Sequence, residues 1–165
     1  MKISRPVRIK RTYTQTLVTT PEKVFHLLCP VREVDWVKDW NPELVISDSG
    51  YVEKDCVFIM PDRPQNSIWV VTEWNPEEYY VEFLKVTPGF TVGYIEIRLR
   101  EAEGNRTHAR ISYEYTALSK AGEDFVADFT QESYDTLMKE WELGLNHYLV
   151  NGKKKGTTKR SNRME

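Results

Sequence analysis

Residues Ala121 to Asn151 constrain this chain more than any other stretch. Wound at about 3.6 residues per turn, they bring Val126, Tyr134, Leu137, Met138, Trp141, Leu145, Tyr148 and Leu149 onto one broad stripe. Asp128, Glu132, Asp135, Lys139, Glu142 and Asn146 fall on the opposite side. The spacing predicts one helix of roughly 45 Å at 1.5 Å rise per residue. Glu123, Asp124 and Asp128 lie near its start, where the helix dipole favours negative charge. Asn151-Gly152 supplies a stop, and the basic run Lys153 to Lys155 follows.

The stripe is uneven. Its C-terminal half carries large side chains that can fill a core. Its N-terminal half carries Ala127, Thr130 and Ser133, which are small. Small residues on a buried face leave volume above them, which either a neighbouring element or a ligand must fill. Ala127 and Thr130 are therefore candidate ligand-binding positions.

The rest of the chain predicts what this helix packs against. Residues 7–18 read as a strand rich in β-branched side chains. Thr20 is placed to cap, and Pro21 to begin, a short helix that buries Val24, Phe25, Leu27 and Leu28 and ends at Pro30. A second short helical piece is expected over Val31 to Val37. Six strands then follow: 44–47, 56–60, 67–74, 79–87, 91–100 and 108–118. Their punctuation is turn chemistry such as Asp48-Ser49-Gly50, Asn75-Pro76, Pro88-Gly89 and Gly104-Asn105. Ile95, Ile97 and Leu99 alternate with Glu96, Arg98 and Arg100, and Ala109, Ile111, Tyr113 and Tyr115 alternate with His108, Arg110, Ser112 and Glu114. This is the pattern of an antiparallel meander with one wet and one buried face. One strand, two short helices, six strands and one long helix make an α+β chain in which the helix covers the inner face of the sheet.

Composition sets the outer limits. The 165 residues suffice for one core, and 40% hydrophobic with 29% charged residues is ordinary for a globular chain. No run of eighteen apolar residues exists, and Met1 to Pro6 lacks the apolar segment of a signal peptide, so a cytoplasmic protein is expected. Cys29 and Cys56 lack metal-ligand spacing and are expected as buried thiols. The two ends, residues 1–11 and 153–165, sum to +5 each, which leaves −12 on the residues between them for a net charge of −2. No aromatic is interleaved with the tail charges, so nucleic acid is not an expected partner and residues 153–165 read as a solvated, disordered tail.

The order of elements, with Thr20-Pro21-Glu22-Lys23-Val24-Phe25-His26-Leu27-Leu28 and Thr72-Glu73-Trp74-Asn75-Pro76, resembles the START-like SRPBCC superfamily. That group includes polyketide cyclases, the birch-pollen allergen type and lipid-transfer domains. The resemblance covers roughly residues 8–150. It implies the helix-grip fold for a domain over residues 1–152, with a curved antiparallel sheet of seven strands wrapped around the C-terminal helix. It also implies a cavity between sheet and helix for a hydrophobic or aromatic small molecule, lipid or polyketide-like. It does not imply one chemistry.

Motifs narrow the chemistry. The glycines form no phosphate-cradling loop, and neither a zinc-protease helix signature nor a Cys-x-x-Cys pair is present, so no metal or cofactor is expected. His26, His108 and His147 come from separate elements and read as surface residues. Tyr113 and Tyr115 lie on the core side of the last strand and Tyr134 on the helix stripe. Their hydroxyls either bond to backbone or orient a ligand. Trp36 and Trp40 form either core or the rim of a cavity. Three readings stay open: a binding protein using this cavity, a cyclase or dehydratase in which Glu73 or Glu82 points inward as acid or base, and an interaction module with a protein partner.

Overall fold

The computed structural model describes residues 1–156; the end of the basic tail, 157–165, lies outside the described residues. Strand β1 (Arg8–Leu17) leads into α1 (Pro21–Phe25), where Pro21 occupies the first turn and Thr20 stands before it in extended conformation. The expected second helix is shorter than the sequence predicts: only Glu33–Asp35 closes, as a 3-10 turn. The meander follows as β2 (Leu44–Ile46), β3 (Val57–Met60), β4 (Ser67–Asn75), β5 (Tyr80–Thr87), β6 (Thr91–Ala102) and β7 (Arg106–Ala117). All pairings are antiparallel, and the seven strands run in the order β1-β7-β6-β5-β4-β3-β2. β1 therefore closes onto the last strand of the meander.

Alternation assigns the two faces. Register aligns Val71, Phe83, Ile95 and Tyr113 across four strands, and all four are buried. A bulge at Thr72 interrupts β4, so Val71 pairs with Phe83 but Glu73 pairs with Glu82 on the outer face.

The 121–151 stretch is not one helix. It divides into α2 (Lys120–Asp128) and α3 (Gln131–Asn151). Phe129 leaves helical geometry, and Thr130 becomes the N-cap of α3, its hydroxyl accepting from the Ser133 N–H at 3.1 Å. Ser119 caps α2 in the same way. The break turns Phe125 and Phe129 onto the inner face, each 5.1 Å from the Tyr115 ring and edge-on to it. These rings, which the stripe omits, fill the volume beside the small residues. Ala127 and Thr130 are exposed. The expectation that they border internal space is thus corrected: the volume is taken by neighbours.

α3 is clamped along β1. Gln15 donates to the Met138 carbonyl at 2.9 Å, and Asn146 donates to the Thr16 carbonyl while accepting from the Val18 N–H. Its buried line is Tyr134, Met138, Glu142 and Leu145. Glu142, expected outside, lies within hydrogen-bond reach of Tyr13 and Lys139, whereas Leu137 is exposed. Gly152 ends the helix at φ 66°.

Candidate functional site

The chain between α1 and β2 packs against the sheet through Trp40, whose ring meets Phe58 and Trp69, and against α3 through Trp36, whose ring meets Trp141. Cys29, Glu33, Trp36, Val37 and Trp40 recur every three to four residues, which brings them to one side of this segment. The Glu33 N–H bonds the Cys29 carbonyl, and Glu33 in turn accepts from the Trp36 and Val37 N–H groups. The glutamate is thereby held inward on a face otherwise made of tryptophan, valine and cysteine.

Glu33 is 5% exposed and borders a narrow interior cleft of about 10 Å³, lined among others by Trp40, Phe58, Trp69, Tyr113 and Trp141. That volume is at the threshold for one water molecule. Among the described residues, neither the Glu33 carboxyl nor the Tyr113 hydroxyl has a hydrogen-bond partner, and neither is sealed off from open space. Burial alone pushes the Glu33 carboxyl up to about 8. Burial, with Tyr115, Tyr134 and Glu33 nearby, holds the Tyr113 hydroxyl well above its ordinary value. At neutral pH the cleft therefore presents a neutral carboxylic acid and a phenol within an aromatic wall.

A second inward charge lies further along the sheet. Lys85 follows Val81 and Phe83 on the inner face of β5, pairs with Asp62 at 2.7 Å and stands over the Trp69 and Tyr115 rings. Burial alone would lower its pKa; the Tyr115 hydroxyl and Asp62 more than offset this and hold it above the ordinary lysine value. Lys85 is a satisfied group, unlike Glu33.

The candidate residues now separate. Tyr113 and Trp40 line the cleft, with the Trp40 N–H bound to the Pro30 carbonyl at 2.8 Å. Trp36 is buried and donates to the Leu27 carbonyl at 3.1 Å; it borders an outer groove of about 560 Å³ between Val37–Asp39 and α3. Trp141 borders both the groove and the cleft. Tyr134 is fully buried and donates to the Ile111 carbonyl at 2.8 Å. Tyr115 packs between Phe125, Phe129 and Lys85. Ala127 and Thr130 take no part. Glu73 and Glu82 face outward: Glu73 lies near Lys54, and Glu82 accepts from Thr72 and Tyr80. The inward carboxyl is Glu33, which the sequence marks by its phase with Cys29, Trp36, Val37 and Trp40. Cys29 and Cys56 are buried free thiols.

The chain has the helix-grip fold found in the START-like SRPBCC superfamily. It aligns with norcoclaurine synthase from Thalictrum flavum at TM-score 0.64 and 12% identity, over 93% of this chain and 100% of that one. The Mll3558 protein of Rhizobium loti aligns at TM-score 0.62 and 13% identity, over 86% of this chain and 100% of its own. Ara h 8.0201 aligns at 0.60 and 13%, over 87% and 99%. No family model and no curated relative matches the sequence.

Proposed function

We propose that this protein binds a small aromatic or otherwise hydrophobic molecule inside the grip, with the molecule's polar end on Glu33 and Tyr113. The observation that carries this reading is the unpartnered Glu33 carboxyl. The carboxyl and the Tyr113 hydroxyl are not sealed off by protein, so their donors and acceptors stand available to a guest in the cleft. A guest bringing one donor and one acceptor would satisfy Glu33 and Tyr113 together. The cleft's walls are rings, which suit an aromatic guest. Among chains of similar fold, norcoclaurine synthase has been solved in complex with dopamine and hydroxybenzaldehyde, both aromatic. The narrow cleft, about 10 Å³, has to widen to admit such a molecule. Trp40 is the wall best placed to move, being half-buried, and its hydrogen bond from the indole N–H to the Pro30 carbonyl would have to yield or pivot.

Calorimetric titration with small hydroxyaromatics, hydroxybenzaldehyde included, tests this. Saturable binding is expected, weakened in Glu33→Gln and in Tyr113→Phe by about 0.5–1.5 kcal/mol each, roughly twofold to tenfold in affinity. Binding unchanged in both variants, or no binding to any of these compounds, would remove the reading.

One observation favours a second reading, catalysis of the cyclase or dehydratase type. A carboxyl whose pKa is pushed up to about 8 can both donate and accept a proton near neutral pH. Glu33 then takes the role that the sequence assigned to Glu73 or Glu82. Turnover abolished in Glu33→Gln with affinity retained would mark the protein as an enzyme rather than a carrier.

A further inference from the structure

The outer face of the sheet carries a cluster that the interior does not explain. Register places Arg98 on β6 directly opposite Arg110 on β7, and Arg100 opposite His108. Arg106 closes the same corner beside Ala102. Like charges directly across a strand pair destabilise a sheet, yet none of these four arginines is in an ion pair among the described residues. The Arg98 guanidinium lies over the Tyr80 ring, 4.4 Å from its centre, which holds it against the sheet. The carboxylates of the next row have their direct partners elsewhere: Glu82 accepts from Thr72 and Tyr80, and Glu96 pairs with Lys10 at 2.8 Å while Arg110 acts on it only at longer range. A basic corner with unused donors thus stands on a chain whose body is acidic overall.

We propose that this corner is a docking surface for a phosphorylated, extended peptide segment of a partner protein. The cations are arginines without a single lysine, and the guanidinium fork suits bidentate contact with phosphate. Arg98 and Arg100 are two residues apart on one strand, roughly 6.8 Å by strand geometry. Alternate residues of an extended peptide repeat at the same distance, so two phosphoserines at i and i+2 meet two arginines. Single-stranded nucleic acid fits less well. Its bases need free aromatic faces, the Tyr80 ring is covered by Arg98, and the Glu82 and Glu96 row limits the positive field to a short patch. The proposal is independent of the interior cleft.

The test uses the full chain and three probes: a peptide Gly-pSer-Gly-pSer-Gly, its unphosphorylated form, and a 20-nucleotide single-stranded DNA. The phosphopeptide is expected to bind, more weakly as salt rises, and to shift the side-chain NMR signals of Arg98, Arg100, Arg106 and Arg110. Arg98→Glu/Arg110→Glu and, separately, Arg100→Glu/Arg106→Glu are each expected to weaken binding at least tenfold, with unchanged circular dichroism. Lys153→Glu/Lys154→Glu makes the same change in net charge elsewhere and is expected to leave it unaltered. No preference for the phosphorylated peptide, equal loss in the lysine variant, or tighter binding of the DNA at the same arginines would each overturn the proposal.

Discussion

Trp36 and Trp141 meet edge to face, their ring centroids 5.9 Å apart and their planes at 90°. Trp141 is thereby fixed as the wall between the outer groove and the cleft at Glu33. Replacing Trp141 with Ala should join the two volumes and admit water to Glu33, whose pKa should then fall toward the ordinary carboxylate range. The ring is half-buried, so the stability cost should be about 2–4 kcal/mol, somewhat under that of a core tryptophan. Urea melts of the variant across pH give both numbers.

Gly93 lies beneath Tyr115. A Cβ built there would stand 2.8 Å from the Tyr115 Cε1, and the ring has no room to retreat because Phe125 and Phe129 both press against it. Gly93→Ala should therefore destabilise by about 1–3 kcal/mol through overpacking. A melt indistinguishable from the parent's would mean that the aromatic cluster under α2 is loosely held.

The break between α2 and α3 makes a paired prediction. Thr130→Ala removes the cap of α3 and should cost about 0.5–2 kcal/mol. Ala127 is exposed, so Ala127→Trp should change stability by no more than about 0.5 kcal/mol. Chemical denaturation of the two variants checks the pair, and the opposite ranking would restore a single buried helix face.

The strands and their order were legible because alternation and turn residues are local signals. The helix break was not, since the stripe continues in phase through Val126 and Tyr134 while the interruption is written in Phe129 and in the capping of Ser133 by Thr130. The candidate cleft was legible in part. Tyr113, by its phase on β7, and Trp40, which the sequence offered as core or rim, both line the cleft. Glu33 was missed because a charged residue in a short polar segment reads as surface. Its phase with Cys29 and Trp36 was the available signal. Glu73 was misleading because the bulge at Thr72 disguises the strand's period, and Glu82 because the inward charge on its strand is Lys85.

The pH dependence of folding follows from Glu33. Its pKa in the folded protein is about 8, against roughly 4.3 when unfolded. Between these values the unfolded chain loses the proton first, so this contribution is full below about pH 4 and is lost as pH rises toward 8. The slope is at most about 1.4 kcal/mol per pH unit. Glu33→Gln cannot ionise and should gain on the parent by that amount per unit between pH 5 and pH 8. Parallel stability profiles for the two proteins would contradict this assignment.

The proposed binding requires Glu33 to be a neutral carboxylic acid facing the aromatic cleft, available to a guest. A carbon-detected NMR titration of its side-chain carboxyl, assigned by the loss of the signal in Glu33→Gln, measures this directly. A midpoint near 8 is expected. A midpoint in the ordinary carboxylate range, near 4.3, would mean that Glu33 is solvated or paired, and the cleft would lose the group on which the proposed function rests.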